Sequence, residues 1–259
     1  MITKIKKKIY ATMGISVNSW DKESRSAFRL FKFIFSIRGQ KRLWLLFWKI
    51  VLYIFRKITG VDFNNLNYKR WVKKNSLSKY DLEKLRIAEK ELKYRPKISI
   101  VLPVYNPPEK FFTEAIQSVL DQVYSNWELC IADDLSTNKN IKNIIQSLAE
   151  KDSRIKCVYR TENGHISASS NSGIEIATGE YIGLLDHDDL LTVDALYENV
   201  LALNNDKEID FLYSDEDKID EEGKRTGPHF KPDYCPDNLL SRNYICHFSV
   251  IRATLIRQV

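Results

Sequence analysis

Residues 98–134 read ISIVLPVYNPPEKFFTEAIQSVLDQVYSNWELCIADD. The run 98–102 is short, apolar and rich in β-branched side chains, which suits a strand covered on both faces of a parallel sheet. Pro103-Val-Tyr-Asn-Pro-Pro108 then breaks it into a loop. Across 111–120, Phe112, Ala115, Ile116, Val119 and Leu120 fall on one side of a helix. A second strand is predicted over 128–132, and it stops at Asp133-Asp134.

The same alternation continues outward from this unit. The pattern predicts a helix over 138–149, a strand over 155–159 and a helix over 166–177 with Gly173 inside it. A strand over 180–185 closes on Asp186-His187-Asp188-Asp189. Thr192 is placed to cap a helix over 193–203. A strand over 209–213 ends at Ser214-Asp215-Glu216-Asp217, and one more helix and strand fit between 237 and 251. Strands and helices joined by short connections make an α/β fold: a mostly parallel sheet flanked by helices. Ligands of such sheets bind beyond the carboxyl ends of the strands. Acids after strands often serve only as turn formers and caps. Three sets at one sheet edge instead call for a cation or a hydrogen-bonding ligand.

Known phosphate-binding loops are absent. No GxGxxG follows the first strand and no GxxxxGK[ST] occurs, which excludes a classical dinucleotide site and a P-loop. A diphosphate would need another countercharge. Asp186 and Asp188 could supply it by holding Mg²⁺ or Mn²⁺, hard cations suited to carboxylate and phosphate oxygens.

Charge divides the 259-residue chain in two. Residues 1–95 hold 24 Lys and Arg against 7 Asp and Glu, a net of +17. Residues 96–259 hold 16 against 27, a net of −11. The expected organisation is a basic, amphipathic, helical N-terminal region over 1–95 and an α/β domain over 96–259. Arg42, Lys49 and Arg56 recur every seven residues beside Trp44, Leu45, Phe47, Trp48, Val51, Leu52 and Phe55. Upstream, Phe28, Phe31 and Phe35 mingle with Arg29, Lys32 and Arg38. Such helices suit the interface of an anionic membrane face; packing on the protein itself or in a homo-oligomer is the alternative. The apolar run 43–55 spans roughly 20 Å as a helix, short of the ~30 Å a span requires. Nucleic acid is disfavoured, because the basic residues are interleaved with apolar ones and no reading motif accompanies them. Lys4 to Lys8 are followed by no signal-peptide pattern, so the expected location is cytoplasmic, peripheral at the inner membrane face. Cys130, Cys157, Cys235 and Cys246 form no CxxC pair and read as thiols in a reducing compartment.

The acids and loops, in this order, resemble the inverting glycosyltransferases of family 2, which have the Rossmann-like GT-A fold. Pro103-Val-Tyr105-Asn106 resembles the family's opening motif, which borders the nucleotide. Asp133-Asp134-Leu-Ser136 resembles its DDGS, with Leu135 where glycine is usual; the resemblance implies that an aspartate there contacts the base. The segment Asn163-Gly164 through Asn171-Ser-Gly173 resembles the part that packs under the nucleotide-sugar. Asp186-His-Asp188 resembles the DxD motif, which implies both as Mn²⁺ or Mg²⁺ ligands at the donor diphosphate, with Asp189 completing a common four-residue form and His187 as a wall residue. Residues 214–220, His229-Phe-Lys-Pro-Asp233 and the Tyr68/Trp71 element resemble a bacterial subgroup that makes O-antigen, capsule and other surface polysaccharides.

The activity this implies is transfer of sugar from a UDP- or dTDP-sugar to a growing glycan or lipid-linked acceptor, with inversion. Asp215 and Asp217 are candidate catalytic residues on the donor-sugar or acceptor side, or else they hold the loop before the 221–227 hairpin. The family's general base usually sits in a later ED-type motif. None follows Pro236, so the resemblance implies a base beyond Val259 and an incomplete domain, with His247 and Glu216 as lesser candidates. Two other readings stay open: a non-catalytic protein of the same fold that binds nucleotide-sugar or assists a partner transferase, and a nucleotidyltransferase. The latter lacks the glycine- and lysine-rich first loop expected of it.

Overall fold

The computed structural model describes residues 47–51, 53 and 63–258. The basic and aromatic residues of 1–46, and Arg56 with Phe55, lie outside the described residues. Two compact units divide the chain, Met1–Phe63 and Asn64–Val259. In the first, residues 47–51 are helical and the Phe47 and Trp48 rings meet edge-on at 6.3 Å. Among the described residues no helix is long and apolar enough to cross a membrane.

The second unit opens with α1 (Phe63–Asn75) and α2 (Lys79–Glu91). A reciprocal capping box starts α2: the Asp81 amide donates to Ser78 Oγ, and the Ser78 amide donates to the Asp81 carboxylate. Leu85, Ala88 and Leu92 of this region pack on the sheet core, so residues 64–95 share a compact unit with the α/β part.

The sheet has six strands in the order β3-β2-β1-β4-β8-β5. They are β1 (Ile98–Val104), β2 (Trp127–Asp133), β3 (Ile155–Tyr159), β4 (Tyr181–Leu184), β5 (Phe211–Tyr213) and β8 (Ser249–Arg252). β3, β2, β1 and β4 are parallel. β8 enters antiparallel between β4 and β5, so the sheet is mostly parallel, as expected. A small hairpin, β6 (Glu216–Ile219) with β7 (Arg225–His229), stands apart. The helices are α3 (Glu109–Leu120), α4 (Lys139–Lys151), α5 (His165–Ile176), α6 (Ala195–Asn205), α7 (Pro236–Ser241) and α8 (Ala253–Ile256).

Period-two alternation fills both faces. Ile98, Ile100, Leu102 and Val104 join Phe112, Ile116, Leu129, Ile131 and Leu196 in the larger core. Val101, Cys130, Ile182 and Ala253 form the smaller core on the other face. There α5 approaches closely: a Cβ on Gly173 would stand 2.7 Å from Val101 Cγ1. Gly183 of β4 leaves room for the Phe248 ring, which a Cβ would meet at 2.4 Å.

From residue 98 to residue 252 the expected strands and helices form, with shifted ends. Thr192 does not cap α6. Asp194 occupies the N-cap position with no side-chain hydrogen bond, while the Thr192 carbonyl accepts from the Ala195 amide and Gln122 Nε2. The fifth strand is shorter than predicted because the Ile209 and Asp210 carbonyls are taken by Tyr181 Oη and by Arg252.

One buried carboxylate staples the sheet. Glu128, 3% exposed, lies 2.8 Å from Lys156 Nζ and 3.6 Å from Lys97 Nζ. It also accepts from Ser99 Oγ and the Thr178 amide, tying β1, β2 and β3 to the turn before β4. Burial alone would raise its pKa; the bonds from Lys156, Ser99 and Thr178 outweigh this and bring it down from 4.5 to about 2.

A carboxylate whose folded pKa is depressed gives stability that is present above its unfolded pKa and lost as pH falls through the folded one. Urea midpoints of the wild type should therefore drop between about pH 4.5 and 2, and the Glu128→Gln chain should lose much of that acid dependence. Equal slopes for the two proteins would discount the staple. Gly183→Ala should cost about 1–3 kcal/mol in the same melts, because the buried Phe248 ring would have to shift.

Candidate functional site

The carboxyl ends of β1, β2 and β4 open on one cavity of about 380 Å³, lined by Pro103, Tyr105, Asp134, Asn163, His165, Ile166, Ser169, Asp186, His187 and Asp188 among others. A second depression at the β3 edge, between α4 and β3, carries Glu150 but no acid cluster.

One wall of the cavity is built from the loops after β1 and β2. Asn106 stands at φ 46° and its side-chain oxygen accepts from the Thr137 and Asn138 amides, clamping the two loops together. The Asn106 amide donates to Ser136 Oγ, and the Ser136 amide donates to Asp133 Oδ1. Leu135 is left-handed at φ 66°. That accounts for glycine being usual at this point, since an L side chain there costs roughly 1–2 kcal/mol.

Asp134 is 2% exposed and ion-paired with Arg160 Nε at 2.7 Å, and it also accepts from the Gly164 amide at 3.0 Å. Asn163 Nδ2 donates to the Asp134 carbonyl. The Arg160 guanidinium continues to the Ala168 carbonyl and Ser172 Oγ of α5. Arg160 was not among the sequence candidates; its signal is that a buried Asp134 requires a cation. Asp133 is 1% exposed, and its Oδ2 has no hydrogen-bond partner. Asn171 is exposed on α5 and does not line the cavity.

The opposite wall follows β4. His247, from the loop before β8, places Nδ1 3.2 Å from Asp189 Oδ2 and Nε2 3.9 Å from Asp186 Oδ2. Ligand atoms of Asp186, Asp189 and His247 all lie within 4.8 Å of one another. Asp188 and His187 line the cavity beside them. Asp189 Oδ2 is buried and, despite its nearness to the imidazole, has no hydrogen bond. Burial pushes the Asp189 carboxyl above its ordinary 3.8; His247 opposes the rise, and Asp186, Asp188 and Glu216 add to it. An orphaned buried oxygen among three acids and an imidazole fits a divalent cation. Asp186, Asp189 and His247 could hold it, with Asp188 facing the cavity. An imidazole among carboxylates suits Mn²⁺ better than Mg²⁺.

The acids after β5 are engaged elsewhere. Asp215 Oδ1 accepts from the Lys231 amide at 2.7 Å. Glu216 meets His229 Nδ1 at 3.0 Å and Lys231 Nζ at 3.2 Å. Asp217 accepts from Arg225 Nε at 2.6 Å and from Tyr68 Oη of α1. Neither Asp215 nor Asp217 lines the cavity; both hold the hairpin and its neighbours.

Residues 99–259 match the sequence pattern that defines Glycosyl transferase family 2. The chain belongs to this family. Relatives of glycosyl transferase family 2 type include bacterial proteins of polysaccharide synthesis. The chain is similar to the O-antigen biosynthesis protein RfbC of Myxococcus xanthus, 39% identical over 168 residues, which are 65% of this chain and 13% of that protein. It is 48% identical over 170 residues to the uncharacterized protein y4gI of Sinorhizobium fredii, covering 66% of this chain and 19% of that one. The chain thus spans a fifth or less of the length of these two relatives. The fold is similar to that of S. aureus TarS 1-349 in complex with UDP-GlcNAc, with TM-score 0.52 and 21% identity over 62% of this chain and 47% of that one.

The raised Asp189 carboxyl gives a checkable sign. Its contribution to stability is present below the ordinary pKa of 3.8 and is lost as pH rises through the higher folded value. Without metal, Asp189→Asn should melt higher than wild type at pH 7, with the gap closing near pH 4. Added Mn²⁺ should raise the wild-type melting temperature and leave that of Asp189→Asn unmoved. The reverse order at pH 7 would remove Asp189 from the cation site.

Proposed function

We propose that the chain carries the donor-binding part of a metal-dependent, inverting glycosyltransferase. The donor is a UDP- or dTDP-sugar, and the acceptor is a growing glycan or a lipid-linked one in surface polysaccharide synthesis. One observation carries this reading: a single cavity sets the Asp134–Asn163 wall against Asp186 and Asp188, and Asp186 also belongs to the cluster with His247 and the partnerless Asp189 oxygen. The two walls answer to the two ends of a nucleoside diphosphate. That S. aureus TarS, on a similar fold, forms a complex with UDP-GlcNAc supports a nucleotide-sugar as the donor.

In this mechanism Asp133 accepts from the ring N–H of the pyrimidine, which satisfies its partnerless Oδ2. Pro103 and Tyr105 border the nucleotide, and Asn106 holds their loop in place. Asn163 and Gly164 lie beneath the nucleotide-sugar, fixed by Asp134. Asp186, Asp188, Asp189 and His247 face the diphosphate, where a bound Mn²⁺ or Mg²⁺ supplies charge neutralisation to the leaving group. The acceptor hydroxyl attacks the anomeric carbon in line as a carboxylate takes its proton. The basic region 1–95 suits work at the inner membrane face, where an amphipathic basic helix meets anionic headgroups.

A second reading has one observation in its favour. Asp215, Glu216 and Asp217 are all held by partners, so none of them stands ready as the base. Under it, this chain binds donor without turning it over.

Incubating the chain with Mn²⁺ and UDP-, dTDP- and GDP-sugars, with and without membrane lipid extract, separates the two. Nucleotide diphosphate release with a pyrimidine donor is expected. Binding without release for every donor would favour the second reading. Asp186→Asn should weaken metal-dependent UDP binding by more than about tenfold in calorimetry. Unchanged binding would overturn the metal assignment.

A further inference from the structure

The Asp186–Asp189 cluster owes its histidine to a residue outside it. Lys231 follows β7, and its side chain is 1% exposed. A buried ammonium has three protons to place. Here Nζ donates to Glu216 Oε2 at 3.2 Å, to the Ile245 carbonyl at 2.8 Å and to the His247 carbonyl at 2.5 Å. Two of the three acceptors are therefore main-chain oxygens of the loop that presents His247.

Lys231 is itself held at both ends. Its amide donates to Asp215 Oδ1, and Glu216, which takes its ammonium, is braced from the other side by His229 Nδ1. The loop's other anchors include the Ile245 amide, which donates to Asn243 Oδ1, and the Phe248 amide, which donates to Ser214 Oγ. Neither of these reaches the 247 carbonyl.

We propose that Lys231 is a positioning residue that fixes the 245–247 loop, so that His247 faces Asp186 and Asp189 and completes the cation site. This rests on the metal reading given above and adds a role that the cavity lining does not contain. The acids of 215–216 acquire a purpose by the same geometry. They hold the lysine that holds the histidine. Without the ammonium, the Ile245 and His247 carbonyls lose their common donor. The loop then relaxes toward water, taking the imidazole with it.

Lys231→Met keeps most of the buried stem and removes the three donors. Mn²⁺ binding in the presence of UDP, followed by the loss of free-ion EPR signal, should weaken about 10- to 100-fold, the usual effect of removing an outer-shell support. Hydrogen exchange should quicken at residues 243–248 and stay slow at 98–104. His247→Ala should weaken Mn²⁺ similarly without opening the loop. The double variant should be no weaker than His247→Ala alone, because both losses pass through one side chain. Multiplying losses, or Lys231→Met affinity within twofold of wild type, would overturn the proposal. Should Lys231→Met fail to fold, Glu216→Gln tests the same chain of contacts, with a several-fold loss expected and none overturning it. Should the wild type bind no Mn²⁺, the metal reading falls; exchange at 243–248 then decides alone, and an unchanged rate in the variant overturns the positioning role.

Discussion

Negative charge gathered at one edge of a buried sheet is tolerated only where each carboxylate finds a donor. This constraint sorts the acids beyond the strand ends into two groups. Asp134 is answered by Arg160 and the Gly164 amide. Asp215, Glu216 and Asp217 are answered by Lys231, His229, Arg225 and Tyr68. Among the described residues, the buried side-chain oxygens that go unanswered belong to Asp133 and Asp189. The satisfied acids build scaffold, and the two unsatisfied ones are where the proposed ligand would bring its own donors or charge. Their chain neighbours Asp134 and Asp188 line the cavity.

Much of this was readable from spacing alone. The βαβ alternation is carried by continuous apolar runs such as 98–102 and by the helical pattern of Phe112, Ala115, Ile116 and Val119, all of which are buried. Asp186 and Asp188 announce themselves because they follow a strand and stand two apart. Other features depend on partners distant in sequence. Asp215 and Asp217 look like Asp186 and Asp188 on paper. Only the fold brings Lys231, Arg225 and Tyr68 against them, the last from 149 residues away. Local sequence could not supply that pairing, and so could not tell a scaffold acid from a site acid.

His247 shows the same limit from the other direction. In sequence it is a lone histidine before a strand, a position more often filled for structural reasons. Its neighbours Asp186 and Asp189 lie some sixty residues earlier and become neighbours because β8 pairs with β4. Arg160 likewise has no motif of its own. Its need follows from the burial of Asp134, which is a property of the packed sheet. Leu135 is the converse case: a departure from the usual glycine that is visible in sequence, with a strained backbone angle as its physical meaning.

The insertion of β8 bears on how the protein comes to exist. β4 and β5 do not pair with each other; the strand that joins them is made after both. While the ribosome adds the intervening residues, at about 5–20 per second, the β4 edge stays open for seconds. Residue 247 arrives with the strand that closes it. Assembly of the Asp186, Asp189 and His247 corner and completion of the sheet are thus one event in biosynthesis, and a nascent chain halted before that point would present an unpaired edge and lack His247.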